Sequence, residues 1–239
     1  MYIKTQAIVI SKIKYRDSDL IVKCYTKSSG SISFMIKGVL KSKRGKFKAA
    51  LFQTFNLIDI EMLYRNKGQL EYFKEVRPSV HLNNIQNNVY KSSLALFLSE
   101  VLKSVIQEEE QNEALFNFLY QSIMYLEQTL HFANFNISFL TKLSAYLGFY
   151  PQSVQDESKL FFNLNEGIFE TKESAFSMNR YHSQLFKDFI ELDLKDSQSI
   201  LLSKIERQNM LKLLMSYYEL HVESFQKPKS IEVIESIFN

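Results

Sequence analysis

The hydrophobic pattern of this chain changes its period once, and that change limits the fold more than any other feature. Up to about residue 80 the apolar residues recur at every second position; from about His81 onward they recur at helical spacing. In the first part, Ile3, Ala7, Val9 and Ile13 fall on one side of a strand over 3–13, with Lys4, Gln6, Lys12 and Lys14 mostly on the other. Asp17-Ser18-Asp19 marks a turn into a second strand over 20–27, where Leu20, Val22 and Cys24 alternate with Lys23, Tyr25 and Lys27. Ser28-Ser29-Gly30 is a hairpin bend into a third strand over 31–36. A fourth strand is expected over 52–63. A fifth, over 69–76, follows the bend Asn66-Lys67-Gly68, and Arg77-Pro78-Ser79 closes the series.

Five short strands with no helix of comparable length bury their apolar side best by curling into a small barrel. The OB type has this strand count, and an SH3-like barrel is the structural alternative. The helical part begins with a long helix from about residue 81, carrying Ile85, Val89, Leu94, Leu98, Val101, Leu102 and Val105 and ending in Glu108-Glu109-Glu110. Further helices are expected over 113–130, 136–147, 181–192, 203–224 and 230–238, with Gly148 and Pro151 stopping the third. A small hairpin lies near 160–170. The expected class is therefore α+β and multidomain: an N-terminal five-stranded OB-type β-barrel over 1–79, then a mainly α-helical C-terminal domain over 80–239. Leu115, Phe116, Phe118, Leu119 and Tyr120 are apolar on more than one side of their helix, as for a buried helix or one that leaves a groove for a partner's peptide.

Charge divides along the chain as well. Residues 1–50 carry 12 lysines and arginines against 2 acids, a net of +10; the rest carry 17 against 24, a net of −7. The densest segment is 37–48, which holds six cations and no acid: Lys37, Lys41, Lys43, Arg44, Lys46 and Lys48. Cations this close repel one another unless an anion lies between them, and a polyphosphate backbone is the commonest such anion. Gly38 and Gly45 let a ligand approach the backbone, and Ser42 donates to phosphate oxygens. Lys12, Lys14 and Arg16, with Lys23 and Lys27, extend the charge toward a continuous groove. Phe47, Phe52, Phe55 and Tyr25 are the candidate base-stacking rings, with core packing as the alternative role. No recognition helix is evident.

Catalytic signals are sparse. There is no Gly-x-x-x-x-Gly-Lys-Ser/Thr loop and no Gly-x-Gly-x-x-Gly. His81, His131, His182 and His221 stand without a second ligand at metal spacing. Asp17/Asp19 and Asp156/Glu157 are acid pairs in turns and loops, weak as a metal-dependent nuclease site. Cys24 is the one cysteine, on the apolar side of its strand, which fits a reducing cytosol. The first residues lack a signal peptide's apolar core, and no run of about 18 apolar residues occurs. The expectation is a cytoplasmic, non-enzymatic nucleic-acid binder with no cofactor and no metal. An RNA-binding barrel on a helical scaffold is the alternative, and a nuclease the more distant one.

Several stretches in order resemble the RecO family of bacterial recombination-mediator and DNA-repair proteins. These are Ala7-Ile8-Val9-Ile10 with Tyr15 to Val22; Thr26 to Gly30 with Ile32 to Val39; and Leu51 to Asn56, where Thr54 stands in place of the family's usual proline. Leu147-Gly148-Phe149-Tyr150-Pro151 with Phe162 to Phe169, Tyr217 to His221, and Lys229-Ser230 complete the series. The resemblance implies an OB domain followed by a helical domain, binding of single- and double-stranded DNA, and annealing of complementary strands. It also implies partnership with RecR and with the C-terminal tail of single-stranded-DNA-binding protein (SSB), together helping to load RecA on SSB-coated DNA. Many members carry a four-cysteine zinc module after the Gly-Phe-Tyr-Pro region; residues 151–180 here hold no cysteine, so zinc is not expected.

Overall fold

Alternation in the first part does produce strands, with two local slips that change which side chains face the core. The structure is a computed structural model that describes residues 2–41, 46–65, 69–106, 110–152 and 156–237. Strands β1 (Tyr2–Tyr15), β2 (Asp19–Thr26), β3 (Gly30–Ile36), β4 (Leu57–Leu63) and β5 (Phe73–Pro78) form one antiparallel sheet in the order β3-β2-β1-β4-β5. The ladder itself is not closed. Its two edges meet through a single parallel bridge between Phe34 and Glu71, in which Met35 N–H donates to Glu71 O and Glu71 N–H to Ser33 O, each at 2.9 Å. The curled sheet wraps a core that includes Val9, Val22, Cys24, Phe34, Phe52, Ile58 and Met62. Phe73 stacks on Phe34 at 3.9 Å and on Phe52 at 5.6 Å between ring centroids. Burial pushes the Cys24 thiol well above its ordinary value, so it sits in the core as a small apolar group.

The first slip is in β1. Val9 pairs with Cys24, but Ser11 pairs with Lys23, so Ile10 is an extra residue. Directly opposed residues share a face, and one inserted residue moves every later side chain to the other face. Ile13 therefore leaves the core side expected for it and is 53% exposed. Lys12 and Lys14 move to the side of their partners Val22 and Leu20. Before the slip, Ala7, Ile8, Val9 and Ile10 are all buried, because β1 is covered on both faces. On the outer face Ile8 pairs with Tyr25 and with Leu57, helix α2 (Val89–Val105) packs on β1, and Tyr25 stacks on Phe116 of α3 (Glu113–Gln128).

Several boundaries also differ from those expected. The fourth strand starts at Leu57 instead of 52. Residues Ala49–Phe52 form a 3-10 turn, Asn56 Nδ2 donates to Ala50 O and Leu51 O at 3.0 Å each, and Phe55 adopts φ 67° to re-enter the sheet. Phe52 is thereby an end-plug of the barrel, not a strand residue. The long first helix is two: α1 (Asn83–Asn87) and α2, separated at Asn88, whose side chain accepts from Tyr90 N–H and Lys91 N–H as the N-cap of α2. The acids 108 and 109 beyond α2 lie outside the described residues.

The chain divides into two compact units, Met1–Glu127 and Gln128–Asn239, so α1 to α3 fall in the same unit as the sheet. The second unit holds α4 (Phe135–Tyr146), the hairpin β6 (Phe161–Asn163) and β7 (Ile168–Glu170), α5 (Arg180–Glu191), α6 (Lys204–His221) and α7 (Ile231–Ile237). Ser203 and Glu206 form a capping box at the start of α6. Aromatic rings hold the hairpin in place: Phe162 packs on Phe169, Phe186 and Tyr217 at 4.8–5.5 Å, and His221 Nε2–H donates to Leu164 O at 2.8 Å.

In the first unit Glu127 is 8% exposed and terminates the orphan N–H groups of α1. Its carboxylate accepts from Asn84 N–H and Ile85 N–H at 2.8 Å each, and its carbonyl accepts from the buried Lys91 ammonium at 3.0 Å. Replacing Glu127 by Ala removes the carboxylate acceptor of the Asn84 and Ile85 N–H groups, while the carbonyl that Lys91 uses remains, and is expected to cost about 3 kcal/mol. Urea unfolding of Glu127→Ala measures it, and a loss below about 1 kcal/mol would show that α1 does not depend on this cap.

Candidate nucleic-acid interface

The N-terminal cations do not form one population; the fold sorts them by their neighbours. Lys4 lies 3.7 Å from Glu61, Lys74 lies 2.5 Å from the same carboxylate, and Arg77 lies 3.2 Å from Asp59. The outer face of β1, β4 and β5 is thus neutralised internally. Lys23 and Lys27, expected in the groove, are used elsewhere. Lys23 Nζ donates to Ile106 O at 2.8 Å and is half-buried, which lowers the ammonium's pKa, with Lys103 adding repulsion. Lys27 pairs with Glu113 at 3.0 Å. Both brace α2 and α3 against β2, because the face they project from is the one the helices cover.

The remaining described cations lie along the end of β1 and in the segment 37–48, with Lys46 also lining a cleft beside Asp59, Glu61 and Arg77. Lys12, Lys14, Arg16, Lys37, Lys46 and Lys48 are exposed, and none has a carboxylate within 4 Å among the described residues. Lys41 has only a loose contact, 3.9 Å, with the exposed Asp17. The slip in β1 carries Lys12 and Lys14 toward the end of β3. Lys14 pairs with Leu20, and Leu20 pairs with Ile36, the residue before Lys37. Lys14 is thus two strand spacings, about 10 Å, from Ile36 at the end of β3 and on that residue's face, while Lys37, the next residue, starts the loop from the other side of the pleat. Lys12 relates to Val22 and Phe34 in the same way. Lys43 and Arg44 lie outside the described residues, as do Ser42 and Gly45.

Asp19 fixes the near end of the loop. Its Oδ1 accepts from Gly38 N–H at 2.8 Å, while Leu40 N–H donates to Ser18 O at 2.9 Å. Gly38 has φ 70°, a conformation that suits glycine, and the space beside its Cα is open. The Gly38 N–H holds the Asp19 carboxyl below its ordinary value against the opposing cost of desolvation, with Ser18, Arg16 and Lys37 adding to the lowering. One member of the Asp17/Asp19 pair is therefore a loop tether. No group of three or more His, Cys, Asp or Glu side chains placed to hold a metal ion occurs among the described residues.

The expected stacking rings are mostly inaccessible. Tyr25, Phe52 and Phe55 are each at most 2% exposed, and Phe47 is half-buried, edge-on to Phe52 and Phe73. The accessible ring beside the loop is Tyr72, 44% exposed, with Lys37 Nζ 5.8 Å from its centroid. Simple alternation over 69–76 hides this. A second slip lets Glu61 pair with Glu75 but Met62 with Phe73, leaving Lys74 extra and placing Phe73 inside.

A curled five-stranded antiparallel sheet in the order β3-β2-β1-β4-β5, followed by helices, defines an OB-type fold. The comparisons with known proteins make the class specific. The family model described as "Recombination protein O N terminal" matches residues 1–80, and "Recombination protein O C terminal" matches residues 86–230. Over its whole length the chain is 41% identical to the full "DNA repair protein RecO" of Flavobacterium psychrophilum and 41% identical to that of Christiangramia forsetii. It is 32% identical to a Bacteroides fragilis protein of the same name over 99% of each chain. The chain belongs to the RecO family. No helix among the described residues is long and apolar enough to cross a membrane.

The tether makes a pH prediction. A depressed carboxyl contributes its bond fully above the ordinary value of 3.8 and loses it as pH falls through the lower, folded value. The Gly38 amide proton resonance is expected to titrate with a midpoint below 3.8, and Asp19→Ala to abolish the titration and speed amide exchange at Gly38. A midpoint at or above that value would mean the tether is not formed in solution.

Proposed function

We propose that this chain is a non-enzymatic DNA-repair and recombination mediator of the cytoplasm. Its barrel domain, residues 1–79, binds single- and double-stranded DNA through Lys12, Lys14, Arg16, Lys37, Lys41, Lys43, Arg44, Lys46 and Lys48. Two strands whose charge is neutralised on this face approach closely enough to anneal. The helical domain, 80–239, carries the protein contacts: RecR, the SSB tail and, through them, RecA loading on SSB-coated DNA. The observation that carries the DNA reading is the segregation of cations: those on the helix-covered and β4–β5 sides are paired within the fold, whereas among the described residues those around the loop have no carboxylate within 4 Å apart from the loose Lys41–Asp17 contact. The names of the relatives, with family models over both halves, support the repair role.

Affinity for single-stranded DNA is expected to fall steeply with salt, with a log–log slope of roughly −3.5 if about five phosphates are neutralised. Substituting Lys41, Lys43, Arg44 and Lys46 together by Ala is expected to lower DNA affinity at least tenfold while binding of an SSB tail peptide persists; Lys23→Ala serves as a control that keeps DNA affinity within about twofold. Unchanged DNA affinity in the fourfold variant refutes the loop assignment. Much tighter binding of a matched RNA favours the RNA-binding alternative. Clean turnover of labelled DNA with Mg²⁺ that is lost in Asp17→Asn favours a nuclease.

A further inference from the structure

We infer that Tyr72 is the seat of one unstacked base of single-stranded DNA, with Lys37 and Lys46 placed for the phosphates on either side. The inference rests on the reading that this face binds DNA, and it adds what a row of cations alone does not supply: a means of telling single strands from duplex.

Tyr72 is held from both sides. Glu71 makes the two backbone hydrogen bonds, each 2.9 Å, that bridge to β3, and its carboxylate accepts from Arg65 N–H at 2.8 Å. Phe73 is 7% exposed and locked between Phe34 and Phe52. Because the residues on both sides of Tyr72 are anchored inward, its ring is presented to solvent on a fixed backbone. Little conformational freedom remains to be lost when a base lands on it.

The surroundings suit a nucleotide. A cleft of about 190 Å³ opens beside the ring, lined by Met35, Lys37, Gly38, Lys46, Phe47 and Tyr72. It is shallower than the about 300–1,000 Å³ of small-molecule pockets, as a platform for a flat base requires. Among the described residues nothing lies within 4 Å of the Gly38 Cβ position, so the backbone there is open to a ligand. Lys37 Nζ sits 5.8 Å from the Tyr72 ring and Lys46 Nζ 5.2 Å from the Phe47 ring. These are cation–π contacts that a base displaces from Tyr72 while its phosphate retains the ammonium.

Tyr2 is the informative contrast. It is more exposed, at 61%, and has Lys74 Nζ 4.7 Å from its ring. That ammonium is already committed to Glu61, and Glu75 and Asp59 stand on the same sheet face, so a polyanion is repelled there. Tyr72 has exposure, fixed placement and unneutralised cations together.

Bases in a duplex present only their edges, so a stacking ring strengthens single-strand binding alone. The chain has no tryptophan, so Tyr72→Trp installs a single reporter. Its emission is expected to be quenched by oligo(dT) and to be unaffected by an equally charged oligonucleotide of abasic sites. Tyr72→Ala is expected to weaken oligo(dT) binding about tenfold with an unchanged salt slope, to leave blunt duplex affinity within about twofold, and to be rescued by Tyr72→Phe. Equal quenching by abasic and thymine strands, or equal effects of Tyr72→Ala on single strands and duplex, overturns the inference. So does full single-strand affinity in Tyr72→Ala. In each of these cases the cationic interface stands if the Lys41/Lys43/Arg44/Lys46 variant still loses DNA; if that variant keeps its DNA affinity, it is the interface reading that falls. Should Tyr72→Ala unfold, the Trp quenching comparison decides alone.

Discussion

The extra residue at Ile10 is the constraint on which the functional face of this barrel depends. From Ala7 to Val9, β1 is the central strand of the sheet, flanked by β4 on one side and β2 on the other, and buried on both faces. A strand buried on both faces has no place for lysine. Beyond the bulge the pairing with β4 has ended, the side chains have exchanged faces, and the strand carries Lys12 and Lys14 past the core toward the end of β3. Removing the bulge in thought returns Ile13 to the core side and sends both lysines to the outer face, away from Val22 and Leu20. The bulge thus converts a structural strand into one that is structural at one end and cationic at the other.

The same economy governs the acids. An anion-binding face fails if its cations find carboxylates within the fold. On the outer side of β4 and β5, Asp59 and Glu61 engage Arg77, Lys4 and Lys74 and neutralise the sheet locally. Near the loop, among the described residues, no buried carboxylate pairs with a cation, and Asp19 directs its charge to a backbone N–H instead. That bond orders Gly38 at the root of the loop while leaving the ammonium groups free for solvent or ligand. Order at the root and open charge along the loop are compatible only because the tether is made to the backbone and not to a lysine.

The fold class was legible because it rests on period, and period is a property of many residues at once. The strand-to-helix change near residue 80, the hairpin at Gly30 and the small hairpin around Gly167 were all readable on that basis. What escaped was set by single residues. Asn88 splits a helix whose apolar spacing runs on unbroken, Asn56 and Phe55 turn an apolar run into a plug, and Ile10 reverses a face. The cationic segment was plain from its composition, but composition does not distinguish Lys23, which donates to Ile106 O, from Lys37, which faces solvent. That distinction needs the helices that cover one face of β2, and nothing local to β2 announces them.

The aromatic residues make the same point in reverse. Phe52, Phe55 and Tyr25 lie close to basic residues in sequence and look available; each is enclosed because it faces either the barrel interior or the helices on its outer wall. Tyr72 is distant from the loop in sequence and is brought to it by the bridge between Phe34 and Glu71, the only ladder contact joining the sheet's two edges among the described residues. The contact that most nearly closes the barrel is therefore also the one that sets an aromatic ring beside the basic loop. If that edge were zipped by a full ladder, alternation would continue through residues 70–73 with both backbone edges consumed, and no cleft would remain between β3 and Tyr72. A sheet left open by all but one bridge keeps that cleft, at the place where the unneutralised charge lies.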